Sequence, residues 1–394
     1  MLISVRKMKL KQLAEDFRVE EISKFNILKN GSYKIYLLEK KGLETFSLLS
    51  YLSRKNRIPA SEFGIAGLKD RHAVTKQHFT IPSIYDIKTL NEKNFNISFL
   101  GYLDRKIGLG DLIANKFEIT VRDIAKGELD GAYQKADTLA IIGVPNYFDS
   151  QRFGSVIDKE FIAKFVLKKG YESAVKIFLT KYTKFESKNV KEEKRKIAEN
   201  WNSLSKVNIK NPVLAAIVNE YAKTRNWLDA YKKIPPNLRE MFISAYQSYL
   251  WNGCIKLLLI KAVNNKCLYS VQYNIGSLLF YKKLSEEELK IIPSAFKTIS
   301  DEMELSELEK GIVSKVLSKE GISINDFSIK KATGNFFKAH ERAVLVKPSD
   351  FRISSCLTDE LNCKRKNNKF KITVSFSLPK GSYATVITKR IFNS

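Results

Sequence analysis

The chain is poor in the residues that build metal centres and disulfide frameworks. Its 394 residues include four cysteines (Cys254, Cys267, Cys356, Cys363) and three histidines (His72, His78, His340). No two cysteines stand at the C-x-x-C spacing of a zinc site, and Cys356 and Cys363 have no histidine nearby, so a protein-bound metal is not expected. Unpaired thiols of this kind suit a reducing cytoplasm. No apolar run approaches the ~20 residues needed to cross a bilayer; stretches such as Leu257-Leu258-Leu259-Ile260 have the length of a helix core. The first ten residues, MLISVRKMKL, show no apolar core followed by a small-residue cleavage site, and a cytoplasmic protein is expected. Serine-hydrolase and P-loop spacings are missing. Gly108-Leu109-Gly110 is too short a match for the glycine-rich loop that an S-adenosylmethionine-dependent methyltransferase would need.

Acidic residues are in the minority, 42 Asp plus Glu against 68 Lys plus Arg, which leaves a formal net charge of +26. Such an excess predicts a polyanionic partner, because each phosphate neutralised releases condensed counterions. Apolar residues make up 44% and aromatics 11% of the chain, enough for packed cores. The length exceeds what one core usually fills, so two lobes are expected.

Period-two alternation at Phe17 and Val19, at Tyr33, Ile35 and Leu37, and at Phe117, Ile119 and Val121 predicts strands with one buried face. Between them, Phe46, Leu49 and Leu52 fall on one side of a predicted helix with Thr45 as its N-cap. From residue 155 to about 335 the chain is dense in lysine and glutamate at helical spacing, notably over Val213 to Trp227 and Leu238 to Val263. Strand alternation returns at Phe370, Ile372, Val374 and Phe376. Strands, then helices, then strands predict an α+β protein with a helical lobe inserted into a sheet lobe.

The segment Gly64-Ile65-Ala66-Gly67-Leu68-Lys69-Asp70-Arg71-His72 sets one carboxylate between two cations behind a pair of glycines. Flanking cations favour the ionised acid, and glycine permits positive φ or close approach to a ligand. An ionised oxygen on a tight turn of a basic protein suits a nucleophile or base that works on nucleic acid. On residue chemistry alone the same segment also reads as a solvated turn whose aspartate caps a helix.

This segment resembles the signature of the TruD-type tRNA pseudouridine synthases, and six further blocks are similar to that family. They are Glu15-Asp16-Phe17-Arg18-Val19; Gly110 through Val121; Val144-Pro145-Asn146-Tyr147-Phe148 running on to Gln151-Arg152-Phe153-Gly154; Ser244-Ala245-Tyr246-Gln247-Ser248-Tyr249-Leu250; Arg342-Ala343-Val344-Leu345-Val346; and Leu378-Pro379-Lys380-Gly381-Ser382-Tyr383-Ala384-Thr385. The resemblance implies a pseudouridine synthase domain of mixed and antiparallel sheet over 1–154 plus 340–394, interrupted by an inserted, largely helical domain over 155–339. It implies isomerisation of uridine, usually at position 13 of tRNA, without a cofactor. Asp70 would be the catalytic carboxylate. Phe17, Phe148 and Tyr383 would hold the freed base by stacking, Asn146 would bond the uracil edge, and Lys11 is a candidate partner for Asp70. Arg152 and Arg342 are candidate phosphate contacts, and the cluster Lys364-Arg365-Lys366, a further candidate by charge, is read as a solvated face. The implied partner is tRNA, with no membrane and no second protein, and a monomer is expected. The rival expectation is a non-catalytic tRNA-binding or tRNA-folding protein on the same scaffold.

Overall fold

The alternation Phe17-Arg18-Val19-Glu20 becomes strand β1 (Phe17–Ile22), with Phe17 and Val19 buried and the charged residues between them exposed. The computed structural model describes residues 8–87, 91–108, 110–183, 186–364 and 368–392, excepting the side chains of Asn91, Ser205 and Lys206. Strands β2 (Tyr33–Lys41), β3 (Val74–Pro82), β4 (Phe95–Leu103) and β5 (Ala114–Ile124) join β1 in a ten-stranded sheet. From the far end of the chain come three more of its strands, Ser349–Ile353, Leu357–Thr358 and Phe370–Pro379. In spatial order the sheet runs 349–353, 370–379, β5, β1, β3, β2, β4, with Asn91–Glu92 at the edge. β1 pairs in parallel with β3, Arg18 opposite Val74, and antiparallel with β5, Phe17 opposite Ile119. A file of rings crosses four strands on one face: Phe17 to Phe117 at 6.1 Å, Phe117 to Phe376 at 5.7 Å, and Phe376 to Phe351 at 6.1 Å. Aromatic pairs at these spacings add to the stabilisation from burial.

Helix α1 (Thr45–Asn56) is capped one residue earlier than the sequence suggests. Glu44 accepts from Phe46 N at 3.0 Å and Ser47 N at 2.6 Å, so an ionised acceptor at the positive helix end takes the place expected of Thr45. Thr45 becomes the first helical residue and is fully buried. The buried stripe is Thr45, Leu48, Leu49 and Leu52, whereas Phe46 is exposed. Opposite the helix, Tyr36, Leu38, Phe79, Ile81, Phe95 and Ile97 complete a core. Ile35 packs in a separate cluster with Ala66, Leu103, Ile107 and Leu112. β2 is therefore covered on both faces, and Tyr36 and Leu38, not Ile35 with Leu37, form its side toward α1.

The chain divides into two compact units, one formed by the described residues up to Val144 with those from Val346 on, the other spanning Pro145–Leu345. The divisions fall at Val144/Pro145 and Leu345/Val346, outside the positions near 155 and 335 where the sequence texture changes. The second unit is mostly helical. Asn211 caps a helix at Pro212–Thr224 by accepting from Val213 N and Leu214 N. Helix α2 (Pro236–Ala262) runs through its core, burying Tyr246, Leu250, Trp251, Cys254 and Leu258. The hairpin Leu268–Tyr273 and Gly276–Tyr281 and helix α3 (Glu307–Glu320) lie in the same unit. The whole is an α+β protein, as expected. Among the described residues no helix is long and apolar enough to cross a membrane.

Candidate active site

The turn that carries Asp70 connects the short strand Gly64–Ile65, paired to β3, with the start of β3 itself. Gly64 is required for close approach: a Cβ there would lie 2.5 Å from Thr80 Oγ1 and 2.7 Å from the Ile107 carbonyl oxygen. Neither Gly64 nor Gly67 takes a positive φ, and a Cβ on Gly67 would meet ordinary contacts at 3.6 and 3.7 Å. Packing therefore requires glycine at position 64 and not at 67, and neither position needs an unusual backbone conformation.

Of the three candidate cations Lys11, Lys69 and Arg71, it is Lys11 that pairs with Asp70. Its ammonium donates to Asp70 Oδ2, while His72 N donates to Oδ1 at 2.9 Å. The pair is half-buried, with side-chain exposures of 24% for Lys11 and 22% for Asp70. Burial alone would raise the Asp70 pKa, but the Lys11 ammonium and the His72 N–H outweigh it and hold the carboxyl below its ordinary value. Lys11 has φ of 58°, and its ammonium lies 4.0 Å from the centroid of the Phe17 ring. Carboxylate, ammonium and ring are thereby brought together as one cluster.

Lys69, adjacent to Asp70 in sequence, turns inward instead. It forms a buried ion pair with Glu21 at 2.5 Å, with side-chain exposures of 5% and 0%. Glu21 also accepts from His78 N at 2.9 Å. Burial raises the Glu21 pKa; His78 and Lys69 together pull it below normal. Lys40, 2% exposed, donates to the Leu43 carbonyl at 2.8 Å and to the Asp70 carbonyl at 3.3 Å. Burial draws its ammonium down to about 8, against the opposing pull of Asp70 and Glu44. Arg71 is exposed.

The turn holding Lys11 and Phe17 is fixed from below. Asp16 Oδ2 accepts from Leu13 N at 2.8 Å, and Arg122 Nε bonds both Asp16 oxygens at 2.9 and 3.0 Å. Arg122 also donates to Asp359 at 3.1 Å and to Glu360 at 3.1 Å. Glu21, Lys40 and Arg122 were not among the sequence candidates. For two of them a signal existed. Glu21 continues the inward parity of Phe17 and Val19, and Lys40 that of Tyr36 and Leu38, so each was an ionisable group at a core position.

Asn146 and Phe148 belong to the second unit, and both are buried. Arg342 Nε donates to the Asn146 carbonyl at 2.8 Å and Arg342 Nη2 to Asn146 Oδ1 at 2.8 Å. Asn146 Nδ2 donates to the Ala343 carbonyl at 3.2 Å, so much of its carboxamide is spent on placing Arg342. The guanidinium of Arg342 lies 4.0 Å from the Phe148 ring centroid and that of Arg152 lies 5.3 Å from it. Trp251 meets Phe148 edge-on at 5.5 Å, and the Asn252 carboxamide bonds Phe148 N at 2.9 Å and Phe148 O at 2.8 Å. Tyr383, in the first unit, is half-buried just before the helix Ala384–Phe392, and its carbonyl accepts from Val386 N. Of Lys364-Arg365-Lys366, Arg365 and Lys366 lie outside the described residues, as does Leu109.

Comparison with known proteins places the chain in a family. The family model described as tRNA pseudouridine synthase D (TruD) matches residues 5–391. A Methanocaldococcus jannaschii protein named "Probable tRNA pseudouridine synthase D 2" is 41% identical over 393 residues, covering 98% of this chain and 92% of that protein. The tRNA pseudouridine synthase D of Aquifex aeolicus is 29% identical, covering 98% of each. A crystal structure from Methanosarcina mazei assigned to tRNA pseudouridine synthase D matches with a TM-score of 0.72 and 25% identity, over 98% of this chain and 94% of that one. The matches run through both units and include the block that carries Asp70, and the chain belongs to the tRNA pseudouridine synthase D (TruD) family.

Proposed function

We propose that this chain isomerises uridine in tRNA to pseudouridine, with Asp70 as the catalytic carboxylate. The observation that carries the assignment is the Lys11–Asp70 pair on its turn, a partly exposed carboxylate kept ionised by an adjacent ammonium. The reaction breaks the N1–C1′ bond of uridine, turns the uracil over and joins C5 to C1′; C5 loses a proton and N1 gains one. Atoms and oxidation level balance without a redox partner, and the protein need supply only a carboxylate beside the sugar and surfaces that retain the free base. An ionised Asp70 serves either as nucleophile at C1′ or as base toward the C2′ proton. Phe17 offers a ring next to that carboxylate, and stacking holds a base by roughly 1–3 kcal/mol.

In the second unit, Phe148 is the RNA-contacting ring, and Asn146 acts by holding Arg342 over it. Tyr383 contributes a further aromatic surface. The target nucleotide has to leave its stack, at a cost of a few kcal/mol that contacts between basic side chains and phosphates offset. Position 13 of tRNA is the expected site. Such an enzyme meets its substrate in the cytoplasm, and one chain supplies every residue named.

The test uses an unmodified tRNA transcript, the purified protein and carbodiimide derivatisation to locate pseudouridine. Wild type should produce one modified uridine. Asp70→Asn should bind the tRNA within about threefold of wild type while turnover falls by on the order of 10³ or more. Turnover retained in Asp70→Asn removes the assignment of Asp70. Binding with no pseudouridine from wild type means a tRNA-binding protein without this activity.

A further inference from the structure

A trough of about 500 Å³ opens in the second unit between helix α2, helix α3 and the tip of the 268–281 hairpin. Its walls include Tyr249, Lys256, Tyr273, Ser277, Lys315 and Lys319. The helices close tightly at its base, where a Cβ on Gly253 would come within 3.3 Å of Val316. Three ammonium groups share this concavity. Lys256 donates to Ser277 Oγ at 3.1 Å, and Lys315 and Lys319 stand one turn apart on α3. Among the described residues, none of the three has a carboxylate within ion-pair distance.

The single carboxylate lining the trough does not neutralise them. Glu320 is bonded to Lys164 at 2.6 Å and accepts from Tyr246 and Tyr249 at 3.3 and 3.2 Å. Its charge is already matched by a lysine that is not part of the wall. Burial, and then the charge of Lys319, hold the Lys256 ammonium below its ordinary pKa, so the two cations feel one another. Like charges gathered in a concave site without a counter-ion raise the local potential for an anion. Ammonium groups and a hydroxyl act as adaptable point donors that suit phosphate. A planar carboxylate ligand would be matched by the fork of an arginine, and no arginine lines the trough.

The trough also adjoins the ring assigned above to the RNA. Asn252, which lines it, stands one turn before Lys256 on α2, and its carboxamide grips both backbone groups of Phe148. We infer that this trough binds backbone phosphates of the substrate RNA, with Lys256, Lys315 and Lys319 as the contacting cations and the two tyrosines bordering the sugar. The inference rests on the proposed tRNA substrate and extends the RNA contact of the second unit to a defined site.

The experiment measures RNA affinity and steady-state turnover across a series of KCl concentrations. Lys315→Gln/Lys319→Gln is the main variant, since both residues are exposed and the fold is not at risk; Lys256→Gln is added separately. Lys261→Gln/Lys290→Gln, exposed lysines outside the trough, provides the charge-matched control. Each lost phosphate contact should lower the slope of log affinity against log salt by ~0.7. The double trough variant should therefore show a slope reduced by about 1.4, a KM raised about tenfold or more at low salt, and an unchanged kcat at saturating RNA. Equal losses in trough and control variants overturn the inference, because net charge alone would then account for binding. Thermal stabilisation of wild type but not the variant by tripolyphosphate, with RNA binding unaltered, also overturns it and marks a site for free phosphate compounds. Absence of pseudouridine from wild type would instead reject the enzymatic reading, and the binding series would still report on the trough.

Discussion

The Lys11 ammonium donates to the Asp70 carboxylate across 59 residues of sequence. One partner comes from the turn before β1 and the other from the turn before β3, and those two strands are the parallel neighbours in the sheet. Parallel pairing sets the two N-terminal strand ends side by side, so groups just upstream of each can meet. The same ammonium lies against the Phe17 ring, which is tied into the ring file across the sheet. Pair and ring are consequently positioned by strand register and not by the loop alone.

Removing that ammonium should weaken catalysis in a pH-dependent way. In Lys11→Met, burial of Asp70 is no longer opposed by the paired charge, so its pKa should rise. The acid limb of kcat/KM should move to higher pH, and at neutral pH kcat/KM should fall by about 10- to 100-fold. Lys11→Arg should keep the limb near its wild-type position. A Lys11→Met profile that overlays the wild type would show that Asp70 does not depend on this partner.

The Glu21–Lys69 pair makes a different prediction because it is buried. Glu21→Met or Lys69→Met each leaves an uncompensated charge in the core and should destabilise the protein by about 3–5 kcal/mol. Replacing both partners with methionine should recover much of that loss. Chemical denaturation of the three variants gives the comparison, and additive losses in the double variant would contradict the pairing.

These contrasts explain what could be read before the structure. The strands, the long helix and the Asp70 turn follow from short-range patterns, since period and turn chemistry are local properties. The choice of cation at Asp70 was not local. Lys69 and Arg71 are the neighbours in sequence, yet Lys69 points to Glu21, 48 residues away, and Arg71 to solvent. Asn146 had the residue type for reading a uracil edge, but its amide contacts depend on Arg342, which enters from nearly two hundred positions along the chain. Alternation did carry the parity that puts Glu21 and Lys40 inside. A charged residue at an inward position is a sequence signal for a buried ion pair or an anchored turn.

Lys40 should leave a signature in stability against pH. Its folded pKa, about 8, lies below the value near 10.5 that it has when solvated. Between those values the unfolded chain binds more protons than the folded one, so stability rises with pH across that window. Below about 8 both states are protonated and the full cost of the buried ammonium is present. Lys40→Met should abolish this rise, so the difference in unfolding free energy between variant and wild type should narrow or reverse from pH 8 toward pH 10. Parallel curves for the two proteins would mean that Lys40 titrates alike in both states.

Arg122 should govern the site from a distance. It is buried, holds both oxygens of Asp16, and reaches Asp359 and Glu360, so it ties the turn before β1 to β5 and to the loop ahead of the final strand. Asp16 in turn accepts from Leu13 N, closing the turn between Lys11 and Phe17. Arg122→Met removes the cation shared by two buried carboxylates and should cost about 3–5 kcal/mol or more in stability. Arg122→Lys retains the charge but lacks the planar fork, so it should keep most of the stability while loosening the turn. Because Lys11 is placed by that turn, Arg122→Lys should shift the acid limb of kcat/KM in the same direction as Lys11→Met, by a smaller amount, with RNA affinity little changed. A purely structural role for Arg122 predicts otherwise: Arg122→Lys would lower the melting temperature, and its pH profile, measured well below that temperature, would coincide with that of wild type.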